Sequence, residues 1–148
     1  MRKVIVAVFV FFSYFFTVQA LADTENSEVS NAGVMWGKAL ESRQPQSIAD
    51  LYSKEAYLYP TFENIKDSHK TILDYFVQLT KNDALKVVFN QQHIQLFGNI
   101  AVNSGFYTFS YKKEGKVVTV PARYTFVYLH EGNKWLIVNH HSSVLPKS

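Results

Sequence analysis

The sequence predicts an α+β domain in which helices come first and a long antiparallel meander follows. Two observations carry that reading. Apolar residues recur at helical spacing up to Asn82 and at alternate positions beyond it, so helical faces give way to strand faces. Three short polar pairs, Gly98-Asn99, Glu114-Gly115 and Gly132-Asn133, interrupt the alternating stretch with residues that accept positive φ. Links so short force successive strands to run antiparallel. Helices preceding such a sheet cover one face and leave its concave side incompletely filled. A pocket is the expected consequence.

Each element has its own signature. Asp23 to Glu28 is polar and reads as a frayed lead-in. Val29, Ala32, Met35, Trp36, Ala39 and Leu40 mark one face of a first helix. Gly33 and Gly37 weaken that helix by about 1 kcal/mol each relative to Ala, unless close packing requires them. Pro45 opens a short second helix that turns Ile48, Ala49, Leu51 and Tyr52 inward. Ala56 to Tyr59 is a short strand stopped by Pro60. Asp67 or Ser68 caps a third helix with Ile72, Leu73, Phe76 and Leu79 buried, ending at Asn82 or Asp83. Four long strands follow: Leu85–Phe97, Ile100–Tyr111, Lys116–His130 and Lys134–Val144.

The first 22 residues stand apart from this domain. Arg2 and Lys3 precede an apolar run from Val4 to Val18, and Ala20-Leu21-Ala22 fits a small-x-small cleavage site. The run is shorter than the roughly 18 to 20 residues of a spanning helix. These features predict a signal peptide over 1–22 and an exported, periplasmic or secreted, domain over 23–148, with an uncleaved anchor as the alternative. The full chain has 15 basic and 12 acidic residues, and without Arg2 and Lys3 the balance is 13 to 12. Near-neutral charge and export argue against a nucleic-acid partner, and no membrane contact is expected after cleavage. Cysteine is absent, which excludes thiol catalysis and thiolate metal sites and leaves the core alone to hold the fold.

One resemblance narrows the architecture. The text His93-Ile94-Gln95-Leu96-Phe97-Gly98, then Lys134-Trp135-Leu136, and finally His141 with Ser143 resembles the nuclear transport factor 2-like (SnoaL-like) superfamily. The closer likeness is to the association domain of calcium/calmodulin-dependent protein kinase II and its free-standing bacterial relatives. It implies a cone-shaped fold, with N-terminal helices packed on a curved antiparallel sheet of four long strands plus one short strand. It also implies a homodimer or larger homo-oligomer formed through the sheet. The kinase hub lines its cavity with arginines that receive carboxylates, whereas the corresponding positions here fall on Tyr107, Phe126 and Ser142. That affinity for small acids is therefore not carried over.

Strand alternation sorts the candidate site residues. On the third long strand Ala122, Tyr124, Phe126 and Tyr128 share one side and Arg123, Thr125 and Val127 the other. On the fourth, Leu136, Val138, His140 and Ser142 alternate with Trp135, Ile137, Asn139, His141 and Ser143. The register implied by the resemblance turns Asn103, Tyr107, Tyr124, Tyr128, His140 and Ser142 toward the cavity as ligand-binding residues. Arg123 and His141 then face a partner subunit or solvent. His140 is the candidate acid–base group, with Tyr107 or Tyr124 beside it, if the domain is a cofactor-free isomerase or dehydratase. A satisfied core histidine is the competing reading. Strand interiors contain no acidic residue, which argues against proton abstraction by a carboxylate. His140 and His141 point to opposite faces and cannot hold one ion together, so neither a metal nor another cofactor is expected. Together these features predict a small-molecule-binding, oligomerising domain, with an enzyme and a purely structural module as alternatives.

Overall fold

The computed structural model describes the backbone of residues 4–146 and the side chains of residues 23–146. Helix α1 (Val4–Ser42) is followed by α2 (Pro45–Ala49), strand β1 (Tyr52–Tyr59) and helix α3 (His69–Leu79). Strands β2 (Asp83–Phe97), β3 (Ile100–Lys113), β4 (Lys116–Glu131) and β5 (Lys134–Val144) complete the chain. The sheet order is β1-β5-β4-β3-β2. β2 to β5 pair antiparallel as a meander, while β1 adds to the far edge parallel to β5. All three meander turns carry a glycine at positive φ.

The helices match their local chemistry. Ser68 caps α3 in a reciprocal capping box with Thr71. Its apolar face buries Ile72 and Phe76 against the sheet. The helix stops at Leu79, and Asn82 closes the following turn through its backbone N–H to Leu79 O at 3.2 Å. The segment Asp23–Glu28, expected to fray, is helical instead. It contains no Gly or Pro to break the turn, and the Glu28 carboxylate accepts a hydrogen bond from the Trp135 indole at 3.3 Å. The expected leader, residues 1–22, lies outside the described side chains.

Two glycines set how closely elements approach. A Cβ at Gly37 would stand 3.0 Å from Val87 Cγ1, so this position lets α1 lie against β2. At Gly105 a Cβ would fall 2.1 Å from the carbonyl oxygen of Gln91. That approach follows from a bulge: the register between β2 and β3 shifts between Phe89 and Gln91 and leaves Asn90 as an extra residue.

A second bulge corrects the face assignment expected for β5. Its pairing with β4 shifts where Tyr128 opposes Ile137 and Val127 opposes Asn139, leaving Val138 unpaired. Trp135 and Ile137 are buried on one side of the bulge, and His140 and Ser142 on the other. All four therefore face the core, against the simple alternation that separates Trp135 and Ile137 from His140 and Ser142. β1 is irregular as well. Tyr52 pairs with Ile137, whereas Tyr57 pairs with Asn139, so extra residues lie between the two contacts. Tyr52 thus belongs to the start of a strand and not to the preceding helix.

The core lies between the helices and the inner face of the sheet. Trp36 is its centre, 1% exposed, stacked on Tyr107 with ring centres 6.4 Å apart. Phe126 and His140 meet its indole edge-on, each at 5.3 Å.

Candidate functional site

All six residues expected on the inner face are buried there: Asn103, Tyr107, Tyr124, Tyr128, His140 and Ser142. The structure divides them into separate groups. Tyr124 Oη donates to Asn103 Oδ1 at 2.8 Å, and Asn103 Nδ2 donates to Gln92 Oε1 at 2.8 Å. Gln92 Nε2 then donates to Ser30 Oγ at 3.2 Å. This ladder ties β4, β3, β2 and α1 together and consumes the polar atoms of Asn103 and Tyr124 in holding the fold. Tyr128 is 1% exposed, and its hydroxyl finds no partner among the described residues.

Tyr107, His140 and Ser142 form the other group, in the wall of a cavity of about 190 Å³ between α3, the loop after β1 and the inner face. Trp36, Phe76 and Phe109 supply much of its apolar surface. At its polar end, Trp36 Nε1 donates to Tyr52 Oη at 3.0 Å. Tyr52 Oη lies 2.9 Å from His140 Nδ1, and His140 Nε2 lies 3.3 Å from Tyr107 Oη. Ser142 Oγ is the other polar neighbour of Tyr107 and sits 2.7 Å from Thr61 Oγ1. Six side chains from α1, β1, the following loop, β3 and β5 therefore converge on one polar seam.

Electrostatics make this seam neutral. Burial, with a smaller contribution from His141, lowers the pKa of His140 from 6.5 to about 3. Both ring nitrogens are within hydrogen-bond distance of phenols, and the imidazole is uncharged at neutral pH. Burial likewise pushes the Tyr52 and Tyr107 phenols up, so both stay protonated. A base this weak is poorly matched to proton abstraction near pH 7. What the arrangement does well is hold directed hydroxyls at the end of an aromatic slot.

Arg123 and His141 lie on the opposite, outer face and are exposed. Arg123 is flanked across the sheet by Phe106 and Ser143, and His141 meets the Tyr59 ring edge-on at 6.5 Å. Phe106 and Tyr59 are about two-fifths exposed, so this face combines aromatic surface with a guanidinium. Sequence reasoning missed Tyr52, Thr61 and the polar role of Trp36. Trp36 was legible as a core residue. Tyr52 carried no signal for its hydroxyl because its strand pairs with β5, far along the chain.

A family model described as the calcium/calmodulin dependent protein kinase II association domain matches residues 25–146. A solved structure from Xanthomonas campestris, provisionally described as such an association domain, is 39% identical, with a TM-score of 0.77 over 82% of this chain and 88% of that chain. A nuclear transport factor 2-like protein from Streptomyces avermitilis, provisionally described as a dehydratase, shares the fold at 14% identity. Its TM-score is 0.78 over 84% of this chain and 99% of that one. A nuclear transport factor 2 (NTF2-like) superfamily protein from Salmonella enterica is 17% identical, with a TM-score of 0.75 over 86% and 95% of the two chains. Comparison with curated proteins finds no match. A family match over residues 25–146, and a 39% identical relative that superposes with a TM-score of 0.77, lead to one conclusion: the chain belongs to the calcium/calmodulin dependent protein kinase II association-domain family and has the nuclear transport factor 2-like fold.

Proposed function

We propose that this domain is exported, binds a small, partly apolar molecule in the cavity beside His140, and assembles into a homodimer or larger homo-oligomer through its outer sheet face. The observation that carries the binding reading is the convergence of Tyr107, His140, Ser142 and Thr61 on an otherwise aromatic cavity of about 190 Å³. Apolar walls with a few converging polar groups are the usual make-up of a ligand site. The family supports assembly, and the exposed Arg123, Phe106, Tyr59 and His141 offer a surface for it. The leader features of residues 1–22 support export.

An isomerase or dehydratase is less well supported. His140 is too weak a base at neutral pH, and Tyr124 is committed to Asn103. A scaffold without a guest draws on Phe126 and Tyr128, which are buried beside His140 and fill the concave face outside the cavity wall. Native mass spectrometry of protein purified from its own compartment separates these readings. Binding predicts a discrete added mass on each subunit, lost in a Val120→Trp variant that fills the cavity but still melts cooperatively. Bare subunits, or an added mass that Val120→Trp retains, would refute the binding reading. A monomeric mass would refute assembly.

A further inference from the structure

The direction of the hydrogen bonds in the polar seam limits what the cavity can hold; the inference rests on the binding reading above. An indole N–H can only donate. Trp36 Nε1 therefore spends its hydrogen on Tyr52 Oη, 3.0 Å away. Tyr52 has one hydrogen of its own, and its remaining polar neighbour is His140 Nδ1 at 2.9 Å. Donation there makes Nδ1 an acceptor, so the neutral imidazole carries its proton on Nε2. That N–H points at Tyr107 Oη, 3.3 Å away, and Tyr107 accepts it. This assignment alone gives the Trp36, Tyr52 and His140 hydrogens each an acceptor. It leaves the Tyr107 hydroxyl hydrogen directed onward, to Ser142 Oγ in the cavity wall or to the acceptor of a guest that takes the place of Ser142. Trp36, Tyr52 and His140 are positioning residues: they fix Tyr107 as a donor.

Charge limits the guest from the other side. Among the described residues, the cavity wall contains no Lys or Arg. Its one carboxylate, Glu63, is exposed at the rim and paired with Lys66 at 3.0 Å. The Lys66 ammonium is thus occupied, and it stands over the ring of Tyr75, a wall residue, 5.8 Å from its centre. An anion moved from water into this slot gains no countercharge for the hydration it loses. Size sets the third limit. A cavity of about 150 Å³ is enough for benzene, so about 190 Å³ accommodates one substituted ring.

We infer that the cavity takes an uncharged, single-ring molecule bearing a hydrogen-bond acceptor such as a carbonyl, which Tyr107 recognises as donor. The test titrates the full oligomeric domain at pH 7 with toluene, acetophenone and benzoate, which share a ring and differ in acceptor and charge. Acetophenone should bind most tightly. Toluene should be about three- to tenfold weaker, the usual value of one hydrogen bond. Benzoate should be weaker than acetophenone by more than about 100-fold. In Tyr107→Phe, acetophenone should fall to the level of toluene while toluene is unchanged. In Tyr52→Phe, which frees the imidazole to exchange tautomers, the preference for acetophenone should shrink while toluene still binds. A purely structural role for Tyr52 would weaken both probes alike.

The outcomes are distinct. Benzoate binding as tightly as acetophenone overturns the charge argument and leaves the binding reading standing. Equal affinity for toluene and acetophenone overturns the donor assignment. If Tyr107→Phe fails to melt cooperatively, the three-probe series on the unaltered domain still decides. Failure of all three probes overturns the inference, and the native mass measurement then shows whether the binding reading falls with it.

Discussion

Deleting the same atom from two buried tyrosines should have opposite consequences. Tyr52 and Tyr128 are 3% and 1% exposed, and each can lose its hydroxyl by mutation to Phe with little change in shape. In Tyr52→Phe, the Trp36 indole N–H and His140 Nδ1 both lose the partner they have at 3.0 and 2.9 Å. Each buried polar group left unpaired costs about 1–3 kcal/mol, so the variant should lose about 2–6 kcal/mol of stability. For a domain of this size that lowers Tm by roughly 10 °C or more. Tyr128→Phe removes a hydroxyl with no described partner, so it relieves a buried polar group and should change stability by about +1 to 0 kcal/mol. Urea unfolding of both variants, with the slope of the transition checked for constancy, measures the difference directly. Equal losses, or a larger loss for Tyr128→Phe, would refute the assignment of hydrogen-bonded and orphan hydroxyls.

Three further outcomes follow from the same geometry. His140 has a folded pKa near 3 against 6.5 unfolded, so between those values the unfolded chain binds more protons. Its contribution to stability is therefore complete above about pH 6.5 and falls as pH drops toward 3, by up to roughly 5 kcal/mol. His140→Phe should flatten the stability profile between pH 6.5 and 4.5, where unaltered protein loses stability on acidification. Gly105→Ala places a Cβ 2.1 Å from the Gln91 carbonyl, a backbone contact that cannot yield cheaply, and should cost at least about 2–3 kcal/mol in a thermal melt. Arg123→Ala, on the exposed outer face, should leave Tm of the subunit nearly unchanged and shift sedimentation toward smaller species; an unaltered sedimentation profile would remove Arg123 from the interface.

Most of the architecture was legible because period and turn chemistry are local. Ser68, Pro45 and the three turn glycines mark element ends where the structure has them. That Tyr124 and Tyr128 share a face follows from the two-residue repeat, because β3 and β4 pair in unbroken register, while the resemblance to the family turns that face inward and adds Asn103 and Tyr107 to it. What was hidden depends on contacts distant in sequence. The Val138 bulge changes which β5 residues share a face, and nothing in Leu136-Ile137-Val138-Asn139 announces it. Tyr52 follows an apolar helical pattern closely enough to join the preceding helix, and only pairing with Ile137 moves it into a strand. Gly33 and Gly37 look like weak points in a helix until β2 is seen to press against them. The division of the inner face into a structural ladder and a cavity wall was likewise out of reach. It depends on Gln92 and Ser30 meeting Asn103 across three elements.

The protonation state of His140 is where fold, polarity and recognition meet. Long-range proton–nitrogen correlation spectra of the imidazole, recorded from pH 8 to pH 5, read it without altering the protein. A neutral ring with its proton on Nε2 throughout that range is the expected result. A ring that titrates near pH 6.5, or that carries its proton on Nδ1, would contradict it and remove the directed Tyr107 hydroxyl.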